Sequence, residues 1–387
     1  MRFAQHPLWL VGFRPFFGLA MLAGAWLPVL WACVYGGSCA PPAPGYFTRV
    51  QWHAHEMFYG FGWAVLGGFL LTATKNWVSV RGYHGPSLMA LVGAWSFERV
   101  GMWFGGRWPE PLFRLSNNLF LASIIVMIVA TLVVHRRRDS YPDNFVFLLV
   151  LPAFLVAKNL LLSPGHMALG TSMTLGLFRM AFLVMLERTL TPFMKGAFQV
   201  DILRDVRWDG AIKLLAALMV FEQLLPPWSR AVCGGSLVVL LVGRFLVWKP
   251  WLALRRLDIG IMYLGYLAIT AQMALVALGP SNQPVWVGTV SVHLFTFGAM
   301  GLIIPAMFVR ISKGHTGRKV VFDAGDRAVL WIMMVGLVAR VVAPQLATEH
   351  YLGCIQVAAA CWFACFSILA YRYLPFLWAP RVDGKEH

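Results

Sequence analysis

Charged side chains are scarce in this sequence. Of its 387 residues, 12% are Asp, Glu, Lys or Arg and 59% are hydrophobic, whereas a soluble domain carries roughly 25% charged residues. The longest polar stretches, about residues 189–209 and 311–323, are too short to bury a core of their own. This composition excludes an ordinary soluble globular protein.

Cysteine is also sparse, with six residues in the whole chain. Cys33 and Cys39 are close enough in sequence for a disulfide if they face an oxidising compartment. Cys361 and Cys365 share one helix face, which is more typical of packing thiols. No short apolar run followed by a small-residue cleavage site occurs near the start. We therefore expect the first apolar stretch to stay in the membrane.

The chain instead contains repeated apolar stretches of about 20 residues, the length that crosses a hydrocarbon core of roughly 30 Å. Turns rich in Gly and Pro separate these stretches. The pattern predicts an all-α integral membrane protein, a single polytopic domain of about twelve transmembrane helices. Their approximate ranges are 12–35, 52–75, 86–106, 111–134, 143–163, 166–188, 210–226, 229–248, 257–279, 285–310, 324–345 and 350–374.

Positive charge is abundant, with a net charge of +16, but no long basic tail or aromatic-interleaved patch indicates nucleic-acid binding. Most of the 32 Lys and Arg fall in loops on one side of the predicted bundle. Loops rich in Lys and Arg stay in the cytoplasm. We therefore expect both termini to be cytoplasmic in a bacterial inner membrane. Loops on the other side hold only Arg49, Arg107, Arg114 and Arg230.

The second apolar segment opens with Trp52-His-Ala-His-Glu-Met57. Imidazole is a common ligand for haem iron and copper, and a thioether favours Cu(I). His53 and Met57 share a helix face beside Glu56, whereas His55 points roughly 200° away from His53. The two histidines are candidate ligands of two centres, or a ligand and its hydrogen-bond partner. Capping of the helix at the membrane interface is the alternative.

Two further histidines lie on the same, periplasmic side. His293 is expected about two turns into the tenth segment, and Gly298 nearby permits close approach of a flat partner such as a porphyrin. A lone buried histidine satisfied by the core is the alternative. His166 opens the sixth segment and joins Glu56 and Met57 as a second-tier metal candidate.

Charged residues inside the predicted helices cost several kcal/mol unless they are paired or liganded. Arginine suits haem propionates, and pairing with Glu98, Glu222 or Glu56 is the alternative. Because most of these charges lie at mid-membrane or toward the periplasm, we expect one site built from them and the histidines. The candidate propionate partners or intramembrane charges of this site are Arg99, Arg179, Arg340 and Glu98.

A secondary transporter is the other function that twelve helices suggest. Glu98, Arg179 and Glu222 would then line a coupling or substrate path. Such transporters are built from inverted repeats with paired broken helices, and the sequence shows no strong sign of them.

Several blocks of sequence between residues 12 and 318 carry a family resemblance. They are Gly12-Phe-Arg-Pro-Phe-Phe17, Trp52-His-Ala-His-Glu-Met57, Arg188-Thr-Leu-Thr-Pro-Phe193, His293 and Arg310-Ile-Ser-Lys-Gly-His-Thr-Gly-Arg318. The chain resembles the NnrS family of haem- and copper-containing membrane proteins. The resemblance implies haem (b-type), copper, nitric oxide as the small-molecule partner and a role in nitrosative stress, often alongside denitrification. It leaves open an electron donor, catalytic turnover, and which histidine binds which metal.

Overall fold

The computed structural model describes residues 3–43 and 45–385, and over that range it contains helices and no strand. The predicted all-α class is therefore confirmed. The main helices are α1 (Phe13–Tyr35), α2 (Arg49–Trp77), α3 (Pro86–Phe104), α4 (Glu110–Val134), α5 (Asp143–Leu162), α6 (Met167–Phe198), α7 (Val206–Leu218), α8 (Pro227–Val247), α9 (Leu257–Leu278), α10 (Val290–Gly314), α11 (Ala324–Leu346) and α12 (Thr348–Trp378).

Ten helices in the described part of the chain are long and apolar enough to cross a membrane, all of these except α3 and α7. α3 is a continuous helix, but two adjacent charged residues, Glu98 and Arg99, interrupt its apolar sequence. α7 has 13 residues and a three-residue turn after it, which together rise only about 24 Å. The protein is thus a multi-pass membrane protein, whereas the count of twelve and the cytoplasmic termini stay predictions.

The chain divides into two compact units. Unit 1 comprises residues 1–171, 308–320 and 366–387. Unit 2 comprises residues 172–307 and 321–365. Both contain large apolar side chains on outward helix faces, such as Leu149 in unit 1 and Val239 in unit 2, which are 75% and 71% exposed. Exposure of this kind suits contact with lipid chains.

In unit 1, α1 packs against α2, and α3 packs against α4. A reciprocal capping box starts α2, because the Thr48 hydroxyl accepts from the Gln51 backbone N–H and the Gln51 side chain accepts from the Thr48 N–H. The buried Arg14 guanidinium of α1 donates to the carbonyls of Leu377 and Ala379, at the end of α12.

In unit 2, α9 packs against both α8 and α10. The loop before α10 is held by Gln345, whose amide exchanges two 3.0 Å hydrogen bonds with the backbone of Val287. Gly288 then adopts φ +74° against the Tyr351 hydroxyl, a conformation that favours glycine. α10 therefore begins at Val290, later than the expected residue 285. His293 lies in its first turn, not two turns inside as predicted.

Helix α6 differs most from its predicted range. It continues through Pro192 to Phe198, so the basic stretch expected to be a loop from residue 189 is helical for another ten residues. A hydrophobicity pattern ends where side chains become polar, but the backbone hydrogen bonds of a helix continue past that point.

Candidate functional site

Three stretches of π-helix occur where candidate residues lie. They are Glu56–Gly62 in α2, Thr296–Gly301 in α10 and Val338–Val342 in α11. His55 directly precedes the first stretch, His293 precedes the second by three residues, and Arg340 lies within the third. Such stretches insert an extra residue into a helical turn and are frequent at functional sites.

In unit 1, protein groups surround the ring of His55, which is fully buried. Its Nδ1 lies 3.2 Å from the Glu56 carboxylate. Its Nε2 lies 3.2 Å from both the Asn117 amide nitrogen and the Glu98 carboxylate. Both ring nitrogens therefore already have polar neighbours within hydrogen-bond distance.

Lys158 of α5 reaches the same place. Its ammonium, 0% exposed, contacts the Glu98 carboxylate and the Asn117 carbonyl, and it lies 5.6 Å from the centre of the Tyr59 ring. A buried ammonium is tolerated when a carboxylate and further hydrogen bonds accompany it, and here both are present.

Arg99 completes this arrangement. Its guanidinium lies 3.4 Å from Glu56 and 3.3 Å from Glu98, and 5.2 Å from the centre of the Trp95 ring. It passes directly over Gly60, where a Cβ atom would lie 2.1 Å from Nη1. The glycine thus allows the arginine to cross the π-helical turn.

We call the group in unit 1 the α2–α5 charge cluster. Two carboxylates and two cations balance their formal charges within it, and the histidine and the asparagine add polar contacts. The formal charges are therefore balanced without an added ion, although Arg99 meets the carboxylates as ion pairs and not as hydrogen bonds. Its members are His55, Glu56, Glu98, Arg99, Asn117 and Lys158.

The other predicted ligands in unit 1 lie apart from this cluster. The ring of His53 stacks on Trp31, with centroids 4.2 Å apart and planes 10° from parallel. Met57 is half-buried on α2. His166 is exposed in the turn before α6, and its Nδ1 lies 3.3 Å from the Ser163 hydroxyl. The structure therefore does not bring these three side chains together.

In unit 2, one ring nitrogen of His293 has hydrogen-bond partners. Its Nδ1 lies 2.9 Å from both the carbonyl and the hydroxyl of Thr289. Among the residues that the structure describes, none forms a hydrogen bond with Nε2. Phe297 provides a neighbouring aromatic wall, 6.4 Å between ring centres. This is the arrangement of a metal-binding imidazole, whose other nitrogen donates to a backbone carbonyl.

Arg340 faces this histidine from α11, whose π-helical turn packs against the first turn of α10. The guanidinium is 9% exposed and close enough to His293 to interact electrostatically. Its hydrogen bonds to the Tyr351 hydroxyl are long, 3.4 Å each. Within residues 3–43 and 45–385, no carboxylate forms a salt bridge with it. Arg340 is therefore a buried cation without an anionic partner.

Arg179, the third predicted propionate partner, is engaged elsewhere in unit 2. It donates to the Gln272 side chain at 2.8 Å and to the Met219 carbonyl at 3.0 Å. Glu222 lies 3.6 Å away and also accepts from Ser172. The ion-pairing alternative thus describes Arg179 better than a free anion-binding role.

A multi-ligand metal site is not visible in the described part of the chain, where no three His, Cys, Asp or Glu side chains are grouped to hold an ion. A haem requires less, namely one imidazole nitrogen and cationic partners for its propionates. The pair of His293 and Arg340 fits that requirement.

Three contributors escaped the sequence analysis. Asn117 was hidden in the apolar α4, although an amide inside a transmembrane helix is itself a signal. Thr289 and Tyr351 are ordinary interface residues, and nothing in their local sequence indicates contact with His293 and Arg340.

Helices of this length around buried charges define a polytopic α-helical membrane protein. The chain belongs to the NnrS family, described as NnrS protein, which matches residues 7–381. Membership makes it a membrane protein of the nitric oxide response in general. A comparison with curated proteins found no match.

Proposed function

We propose that this chain binds haem in unit 2, where His293 Nε2 would hold the iron and Arg340 would be the partner of a propionate. Nitric oxide is the small molecule that would meet it there. One observation carries the proposal. Among the described residues, Arg340 is buried without a carboxylate partner, and its helical turn packs against the turn of His293, whose Nδ1 has hydrogen-bond partners and whose Nε2 has none.

The residues of the chain have distinct tasks in this proposal. With Nδ1 protonated, the Thr289 carbonyl accepts its hydrogen, which fixes the tautomer and directs the lone pair of Nε2 outward. The Tyr351 hydroxyl holds the Arg340 guanidinium in place. Ferrous haem, when bound, supplies a coordination position for nitric oxide. Phe297 places an apolar ring 6.4 Å from the His293 ring, centre to centre.

We infer that the basic loops face the cytoplasm of a bacterial cell, which would place both termini inside and His293 toward the periplasm. Copper and an electron donor belong to the proposal only through the family resemblance, and we derive no step from them. The transporter alternative is not favoured, because Arg179 and Glu222 are held by neighbouring protein groups.

The test is an absorbance spectrum of the purified full-length protein, before and after addition of nitric oxide under reducing conditions. We expect a Soret band that shifts on addition. His293→Ala should reduce the haem per protein to about a tenth or less, because loss of even an outer-sphere partner typically weakens metal binding 10–100-fold.

Two matched variants sharpen this test. His350→Ala removes an imidazole whose side chain is 73% exposed, so this variant should keep full haem. His55→Ala removes the imidazole of the α2–α5 charge cluster and should also keep haem. Full haem in His293→Ala, or a colourless wild-type protein from haem-replete cells, would refute the proposal. Loss in His55→Ala alone would move the ligand to unit 1.

A further inference from the structure

A second candidate site lies in unit 1, where α2 and α4 end and α3 begins, next to the basic loops. A cavity of about 320 Å³ opens there. Its walls are the last turn of α2, the loop 78–85, the first turn of α3 and the last turn of α4. The basic side chains that line it are the cations Lys75 and Arg81 and the imidazoles His84 and His135.

Acidic side chains do not neutralise these cations. No Asp or Glu lines the cavity. Across residues 3–43 and 45–385, neither Lys75 nor Arg81 forms a salt bridge. Asp139, close in sequence to His135, instead accepts from the Asn144 amide at 2.8 and 3.1 Å and lines a different cavity. The cavity therefore keeps its positive charge.

The charge of Lys75 also reaches a neighbouring histidine. Burial, followed by the charges of Lys75 and Arg381, lowers the pKa of His315. Arg381 itself is paired with Asp383. Lys75 is thus close enough for its charge to affect His315, a residue that does not line the cavity.

Neutral groups fix the walls and provide donors. The Tyr83 hydroxyl donates to the Met127 carbonyl at 3.1 Å, which ties the loop to α4. No side chain caps the start of α3, and Ser87 in its first turn lines the cavity. Unsatisfied backbone N–H groups at a helix start attract anions. Basic side chains at the C-terminal end of a helix also offset the helix dipole. Arg81 and His84 lie in the loop 78–85 and not in a helix, so the dipole does not explain their positions.

We propose that this cavity binds a phosphate group, carried either by an anionic lipid headgroup or by a free phosphate. The side chains of Lys75 and Arg81, the Ser87 hydroxyl and the uncapped start of α3 provide donors that phosphate oxygens accept. A headgroup has a natural route, because the ends of transmembrane helices lie at the depth of lipid phosphates, and basic pockets there bind anionic lipids. The site is separate from the haem proposal.

The experiment compares the full-length protein in detergent with two double variants of equal charge. Lys75→Gln with Arg81→Gln alters the cavity. Arg137→Gln with Arg138→Gln removes two exposed charges of the adjoining turn that do not line it. Native mass spectrometry measures retention of phosphatidylglycerol against phosphatidylcholine. Thermal unfolding measures stabilisation by inorganic phosphate against chloride at equal ionic strength.

In the wild type and the control, we expect preferential retention of phosphatidylglycerol, stabilisation by phosphate, or both. The first alone identifies a headgroup site, and the second identifies a site for free phosphate. The cavity variant should bind at least about tenfold more weakly, a loss of 1.4 kcal/mol, while its haem spectrum stays unchanged. Equal binding by the two double variants, or no preference in the wild type, would overturn the proposal.

Discussion

Unit 1 holds two buried carboxylates beside the buried Lys158 and the half-buried Arg99, whereas unit 2 holds Arg340 without any carboxylate partner in the described chain. Both arrangements flank π-helical turns and a histidine. In unit 1 the histidine has polar neighbours at both nitrogens, and in unit 2 at one. Formal charges are thus balanced within the unit 1 group, whereas Arg340 in unit 2 has no carboxylate partner among the described residues.

The difference separates structural polarity from a binding site. Two opposite charges that reach each other in a low-dielectric interior offset much of their desolvation, provided that hydrogen bonds complete the pair. A lone buried cation has no such compensation, and its cost is offset when a ligand brings the missing anion. The incomplete group is therefore the better candidate for cofactor binding.

The largest expected effect breaks the balance of unit 1. Lys158→Met leaves Glu98 buried beside a single cation, Arg99, and should destabilise the protein by about 3–5 kcal/mol, the usual cost of removing one partner of a buried pair. The free energy of unfolding, measured in denaturant titrations of the detergent-solubilised protein, provides the value.

The double variant Lys158→Met with Glu98→Gln is its control. Removal of both charges should recover a large part of the loss, because no uncompensated carboxylate remains. If the single variant were as stable as the wild type, the cluster would not be the charge-balanced group described here.

A smaller effect tests the passage of Arg99 over α2. Gly60→Ala places a methyl group 2.1 Å from Arg99 Nη1, which forces the guanidinium or the helix to move at a cost of about 1–3 kcal/mol. Gly93→Ala is the matched control, since nothing lies within 4 Å of its added Cβ. Unfolding experiments should show destabilisation in the first variant and none in the second. Equal behaviour of both would contradict the contact.

The smallest effect on stability is expected in unit 2. Arg340→Gln removes a buried cation that has no acid to leave behind, so the haem-free protein should change by less than about 1 kcal/mol, unlike Lys158→Met. Haem affinity should nevertheless fall by about tenfold, as for loss of an outer-sphere partner. Haem titration followed at the Soret band measures this change.

Arg340→Lys separates charge from geometry in the same titration. A lysine keeps the cation but not the planar fork, so we expect intermediate affinity. A haem affinity equal to that of the wild type in Arg340→Gln would remove Arg340 from the proposed site and leave His293 alone in it.

Much of the fold was accessible from the sequence, because the free energy of placing a segment in the membrane depends on its own composition. The helix predicted at 86–106 is observed at Pro86–Phe104, and that at 257–279 at Leu257–Leu278. The start of α10 was misjudged, because Gly288 and the Gln345 contact hold the preceding residues outside the helix. The π-helical turns left no signal in a pattern that assumes a constant period.

The candidate site was accessible only as residue types. His55 and His293 are similar at sequence level, each near the start of a helix and five residues before a glycine. Their difference arises from Asn117 and Glu98 around one, and from Thr289 and Arg340 around the other. Those neighbours lie on other helices or in a loop, and no local pattern predicts them.

By itself, the sequence determined that this is a membrane protein. It also determined which apolar stretches become helices and which side chains need partners inside the membrane. Those properties follow from segment length and from the cost of placing a charge in hydrocarbon. Only the tertiary structure decided which charges find opposite charges and which stay alone, because pairing depends on distances of a few ångströms between residues far apart in the chain.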